Sequence, residues 1–237
     1  MVEVENERLV GLGSIWEKLG RLYISGYNRG CCWAKAAVAS IESAHKIATG
    51  ELLDLSVQQV LDCNKLNRFG FAGGHPIETF WHVMQNGIVE TKYYPYNGLV
   101  GECRPMNGIR HIFIDDFCCL EYWDDAELMT AVSRQPVVVG INASVAFQLY
   151  RGGILRGECS ARANHAILVV GYKSFLEKPV WIIKNSWGKN WGIKGYAYME
   201  RFVEYPYGIV GPHSFPVYPI IKPIETTLVN GLNSKTF

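Results

Sequence analysis

Residues 32 to 49 read CWAKAAVASIESAHKIAT, with Trp33, Ala37, Ile41, Ala44 and Ala48 recurring at three-to-four spacing and no proline. That period predicts a helix, and the alanine content favours one. Gly50 supplies a natural stop. A second helix is predicted over SVQQVLDC, opened by Ser56 with Gln59 as capping-box partner three residues on. Residues 69 to 76, FGFAGGHP, read as a glycine-rich turn. Pro76 falls in the first turn of a third helix, PIETFWHVMQN, which ends at Gly87. Then the period changes. VVVGI at 137–141, HAILVVGY at 165–172, VWIIKNSW at 180–187 and GYAYME at 195–200 are β-branched and aromatic runs bounded by Gly, Asn or Pro. They predict strands. A helical half followed by a β-rich half predicts an α+β fold with two lobes. The polar tail from Ile220 to Phe237 is expected to be partly mobile.

Composition narrows the function classes. The chain has 237 residues, 49% hydrophobic and 19% charged, which excludes a disordered polymer. Lys+Arg 23 against Asp+Glu 22 gives a net charge of +1, which argues against a nucleic-acid binder. No apolar run is long enough for a membrane span. The start, MVEVENER, is charged and does not read as a signal peptide. Met1 therefore marks either a cytosolic protein or a mature fragment with an added Met. Seven cysteines, an odd count, leave at least one free thiol. The adjacent pairs Cys31–Cys32 and Cys118–Cys119 are awkward for disulfides. No C-x-x-C spacing occurs, so no metal site or cofactor is predicted.

Cys32 stands at the first turn of the first helix, where unpaired N–H groups and the helix dipole favour an anion. A thiolate is such an anion, so a lowered thiol pKa is expected there. Placement alone does not exclude a small buried cysteine. A nucleophilic thiolate needs a basic partner, and that partner needs an orienting group. Of six histidines, His45 and His82 lie inside helical patterns, His75 in the glycine turn, and His111 and His213 in unpatterned segments. His165 opens an apolar strand after SARAN, and Asn185 ends the next strand within KNSWG. An amide at 185 could accept from one imidazole nitrogen and leave the other for the thiol. Trp187 could shield that bond from water.

The segments CCWAKAAVASIE, LSVQQVLDC, GGHP, YYPYNG, QPVVVGI, FQLYRGGI, NHAILVVGY and IIKNSWGKNWGIKGYAYM resemble, in the same order, those of papain-like cysteine proteases, over roughly residues 20 to 219. The spacings from Cys32 to His165 and to Asn185 fit that family as well. The resemblance implies a papain-like two-lobe α+β fold. A helical left lobe would span 1–119, a β-barrel right lobe 120–219 and a tail 220–237, with the active site in the cleft. It also implies Cys32 as nucleophile, His165 as general base and acid, Asn185 as orienter, and Trp187 and Trp191 as cleft tryptophans. Cys63 and Cys103 match a family disulfide. The main specificity pocket would be lined by Gly74, His75, Pro76, Gly140, Ala163, Ala166 and Phe215. It would favour a compact or flat apolar group over a long basic one.

Several positions depart from the family pattern. The family reads Gln-Gly-x-Cys-Gly-Ser-Cys-Trp before the helix, whereas this chain reads GYNRGCCW, and no Gln precedes Cys32. That glutamine donates to the oxyanion hole, and loss of one donor typically costs about 100- to 1000-fold in turnover. Asn28 or Arg29 could substitute, and the Cys32 backbone N–H should remain. The family cysteine ahead of the nucleophile is absent and its partner position reads Phe71. Cys159 matches a third pair whose partner position reads Val210. Asn142-Ala143-Ser144 forms an N-glycosylation sequon.

Three functions compete. The first is a cysteine endopeptidase, a monomer acting on peptides through an acyl-enzyme. The second is an atypical plant-type homologue that uses the same site on a small molecule. The third is an inactive homologue that binds peptides. No nucleic-acid or membrane partner is expected. Family resemblance implies a secretory or vacuolar setting, and a true start at Met1 a cytosolic one.

Overall fold

The computed structural model describes residues 30–64, 71, 73–120, 125–156, 163–202 and 216–222. The predicted helices stand where the periodicity put them. α1 spans Cys32–Thr49 and ends on Gly50 in the left-handed conformation, φ 77°. α2 spans Val57–Cys63 and α3 Pro76–Asn86. Ser56 caps α2 by accepting from the Gln59 N–H. The reciprocal half of the expected capping box is not made. Gln59 Oε1 instead accepts from Val89 N at 2.8 Å, tying α2 to the next segment. At α3 the full box is present, with His75 as the cap and Glu78 as its partner.

The later elements are β1 Asp116–Cys119, α4 Asp125–Val132, β2 Val137–Ile141, α5 Val145–Gln148, β3 Ile154–Leu155, β4 His165–Phe175, β5 Lys178–Lys184, β6 Tyr196–Glu200 and β7 Val217–Ile220. The strands form one seven-stranded sheet in the order β1-β7-β2-β4-β5-β6-β3. Every pair is antiparallel except β3 with β6. The sequence reading missed β1, β3, β7, α4 and α5. β7 reads VYPI, and a proline within a run argues against a strand. The fold accommodates it because β7 pairs with β2 only at Val217, so Pro219 needs no donor on that side. β1 and β7 reach residues 116–119 and 220, so the sheet includes chain on both sides of the expected 120–219 lobe. The rest of the expected mobile tail, 223–237, lies outside the described residues.

Strand alternation divides the core. Successive side chains of a strand point to opposite faces. Ala166, Leu168 and Val170 of β4 therefore join one cluster with α1, α2 and α3, including Trp33, Ile41, Leu55 and Phe80. Ile167 and Val169 join the other, with Leu128 of α4, Phe147 of α5, Trp181 and Trp191. Burying each such large side chain contributes about 1.5–3 kcal/mol. α1 is the element that links the helical lobe to the sheet, because its buried positions run nearly around it. A third, small cluster of Cys63, Val89 and Tyr94 surrounds the disulfide between Cys63 and Cys103.

Candidate active site

The site is assembled from three ends: the start of α1, the start of β4 and the residues after β5. Gly30 N donates to Phe71 O at 3.0 Å, which pins the glycine turn beside the start of α1. A Cβ at Gly30 would lie 2.5 Å from that carbonyl oxygen, so only glycine permits the approach. Cys31 is the N-cap residue but makes no capping bond. It is buried, and its Sγ lies 3.6 Å from Tyr96 Oη. Cys31, Cys32, Cys118 and Cys119 are all free thiols.

Cys32 is half-buried at the first position of α1. The backbone N–H groups of Ala166, Trp33 and Cys32 itself lie near the sulfur and favour its thiolate form. The Ala166 contact brings the sulfur to the residue beside His165. The expectation of a lowered thiol pKa is corrected here. Burial pushes the Cys32 thiol above its ordinary value, outweighing the three N–H groups, and the neighbouring Cys31 adds to the rise.

His165 is buried, and burial pushes its imidazole down to about 4, partly opposed by its bond to Asn185. His165 Nε2 lies 2.8 Å from Asn185 Oδ1. The same oxygen accepts from Ser186 N at 2.8 Å. A backbone N–H can only donate, so the amide oxygen, not its nitrogen, must face both groups. Nε2 therefore carries the proton, and Nδ1 is the basic nitrogen. Asn185 is itself held by its N–H donating to Gly195 O at 3.0 Å. Gly192 closes this turn at φ 57°, where a Cβ would lie 2.4 Å from Tyr196 O.

Aromatic rings enclose the His165–Asn185 bond. Trp187 stacks on His165 with centroids 4.7 Å apart, and Phe147 meets the ring edge-on at 6.0 Å. Trp191 backs both, 4.8 Å from Phe147 and 5.8 Å from Trp187, and its indole N–H donates to Phe147 O at 3.1 Å. Phe147 is a residue the sequence reading missed. Its signal was FQLY, which lacks a helical or strand period because α5 has only four residues.

On the helical side, Glu42 of α1 accepts from Leu55 N at 2.9 Å and is fully buried. Burial pushes its carboxyl up and the Lys184 ammonium down, and each charge pulls the other back. Lys184 immediately precedes Asn185, so this electrostatic influence reaches from α1 to the end of β5 that leads into Asn185.

The expected pocket residues fall on both sides of the cleft. Gly74 is exposed, and His75 and Pro76 open α3. His75 Nδ1 accepts from Ile77 N at 3.3 Å, and burial lowers its pKa. Gly140 of β2 sits opposite Ala166 of β4, and Ala163 is exposed just before β4. Phe215, Asn28, Arg29, Cys159 and Val210 lie outside the described residues.

The chain is similar to known proteins over most of its length. Residues 27–218 match the family described as "Papain family cysteine protease". Zingipain-2 of Zingiber officinale is 40% identical over 211 residues, covering 87% of this chain and 95% of its own. The bromelain protease of Ananas comosus, solved with the E64 inhibitor, superposes with a TM-score of 0.78 at 36% identity, over 87% of this chain and 97% of its own. The Carica candamarcensis protease CMS1MS2, solved with E-64, gives 0.77 at 34% identity, over 87% and 97%. The relatives are named as proteases, which supports the peptidase among the three readings. The chain belongs to the papain family of cysteine proteases and is a cysteine peptidase.

Proposed function

We propose that Cys32, His165 and Asn185 carry the endopeptidase reaction of this chain. Taken singly, burial disfavours the thiolate and the imidazolium, so each charge needs the other. Transfer of the thiol proton to His165 Nδ1 creates both charges at once, side by side, and each offsets the other's desolvation. The sulfur then attacks the peptide carbonyl, and the oxyanion is received by the Cys32 backbone N–H. Nδ1–H protonates the departing amine, leaving an acyl-enzyme. Water, deprotonated by the same nitrogen, releases the acid. Asn185 keeps the imidazole in the one tautomer and orientation that serves both transfers.

The observation that carries this reading is the pair of bonds on Asn185 Oδ1, which leaves Nδ1 basic. Gly74, His75, Pro76, Gly140, Ala163, Ala166 and Phe215 are proposed as the main specificity pocket. They include no acidic side chain, which supports compact or flat apolar groups over long basic ones. A fluorogenic peptide series with Phe, Leu or Arg two residues before the cut, together with labelling by E-64, tests both statements. Labelling must vanish in Cys32→Ala. Labelling that persists removes Cys32 from the mechanism, and a preference for Arg removes the pocket assignment.

A further inference from the structure

We propose that the cavity between α1 and the turn joining β5 to β6 binds a small amphipathic carboxylate, its chain against apolar walls and its charge among lysines. This goes beyond the peptidase reading and does not depend on it. One wall is a stripe of α1, made of Lys35, Val38, Ala39 and Glu42. Their three-to-four spacing puts them on one face of that helix. The facing wall starts at Leu168 of β4, on the α1 face of the sheet, and continues through Lys184 and Asn185 to Lys189 and Lys194 of the turn. Leu55, Val57 and Tyr96 of the helical lobe complete it. Cys32, His165 and Trp187 are not among the walls, so this is not the catalytic cleft.

The charge of the lining is one-sided. Among the described residues it holds four lysines against a single carboxyl, that of Glu42. Burial pushes that carboxyl's pKa up, which diminishes the one negative charge further. Lys189 and Lys194 are exposed and make no hydrogen bond or ion pair among the described residues. Lys35 Nζ lies 5.3 Å over the Tyr96 ring and meets no carboxylate there. These three ammonium groups are not neutralised by the described chain, and a carboxylate is the ligand group they would hold by charge-assisted hydrogen bonds.

The rest of the lining sets the other half of the ligand. Val38, Ala39, Leu55, Val57 and Leu168 offer hydrocarbon, which suits an aliphatic chain and repels a wholly polar anion such as free phosphate. Two residues of the walls also keep a buried polar atom for which the described residues supply no partner, Glu42 Oε2 and Asn185 Nδ2. Buried polar groups are nearly always satisfied in a folded protein, so the protein's own side chains do not complete this region.

The probe is octanoate, with 1-octanol as its uncharged counterpart, each titrated into the full chain by calorimetry. Octanoate should bind saturably at one site and raise the melting temperature, and 1-octanol should bind several-fold more weakly. Lys189→Gln combined with Lys194→Asn should weaken octanoate several-fold and leave 1-octanol unchanged. Both lysines are exposed, and position 194 has φ 54°, which asparagine adopts readily, so this variant should keep the fold and the basal activity. Ala39→Leu, which fills the cavity from the α1 wall, should weaken both ligands. Labelling of the parent by E-64 should leave octanoate binding unchanged, because Cys32 lies outside the cavity. Absence of saturable octanoate binding overturns the proposal. So does an affinity that E-64 labelling abolishes, since the probe then sits in the catalytic cleft. Equal affinity for octanoate and 1-octanol, or an unaffected lysine variant, overturns the carboxylate assignment. Failure of E-64 to label bears on the peptidase reading alone, and the lysine variant then decides the cavity, as it does if Ala39→Leu fails to fold.

Discussion

The two faces of the central sheet are built from different chemistry. The face toward α1 buries the Glu42 carboxyl among aliphatic side chains, with Lys184 half-buried on the same side. The face toward α4 and α5 is richer in large rings, with Phe147, Trp181 and Trp191 buried. Cys32 belongs to the first face and His165 is packed by the rings of the second. The difference teaches how the site is held. An electrostatic influence between Glu42 and Lys184 reaches from α1 to the strand that leads into Asn185, and aromatic packing surrounds the His165 ring.

The comparison breaks most sharply at the reacting atoms. Cys32→Ala and His165→Ala should each lower kcat by about four to six powers of ten, measured with a fluorogenic peptide. Unchanged melting temperatures would show that the loss is chemical. On the α1 face, Lys184→Ala should destabilise the fold in urea unfolding, because the positive charge that pulls the buried Glu42 carboxyl back toward ionisation is lost. Glu42→Gln combined with Lys184→Met should recover most of that loss. If the single variant is as stable as the parent, that charge does not stabilise the fold.

On the aromatic face, Phe147→Ala should cost about 3–5 kcal/mol. It should also lower kcat more than it raises KM, since it frees the imidazole without touching substrate.

Acid should act on both faces. His82 and His165 are each pushed down to about 4 by burial, from an ordinary value of 6.5. The unfolded chain therefore binds more protons between those values. This contribution to stability is present above about pH 6.5 and is lost progressively as pH falls toward 4. Urea midpoints across that window should fall on acidification, and His82→Gln should flatten the decline. The smallest effect is local to the helical lobe. Ser56→Ala should cost about 1 kcal/mol through loss of the α2 cap.

Much of this was legible in the chain. The three-to-four period from Trp33 to Ala48 marked α1, and Gly50 its end. The β-branched runs marked β2, β4, β5 and β6, and the ordered segments around Cys32, His165 and Asn185 pointed to the family. Short or proline-containing elements were not legible. α5 offers only four residues, too few for a period, and β7 carries Pro219 inside a strand. The thiol's environment was misread for a related reason. A helix start is visible in sequence and argues for a lowered pKa, but the burial that outweighs it is imposed by β4 packing against α1.

By itself, then, the sequence determined the local periodicities, the order of elements and the residue types able to do thiol chemistry, because these depend on neighbours along the chain. Only the tertiary structure decided which imidazole nitrogen is basic. That choice depends on the Ser186 N–H orienting an amide twenty residues away from His165 in sequence. It also decided that Gly140 stands opposite Ala166 and that Ile141 stands opposite His165. Each of these rests on strand register, which brings distant residues together in a way no local pattern encodes.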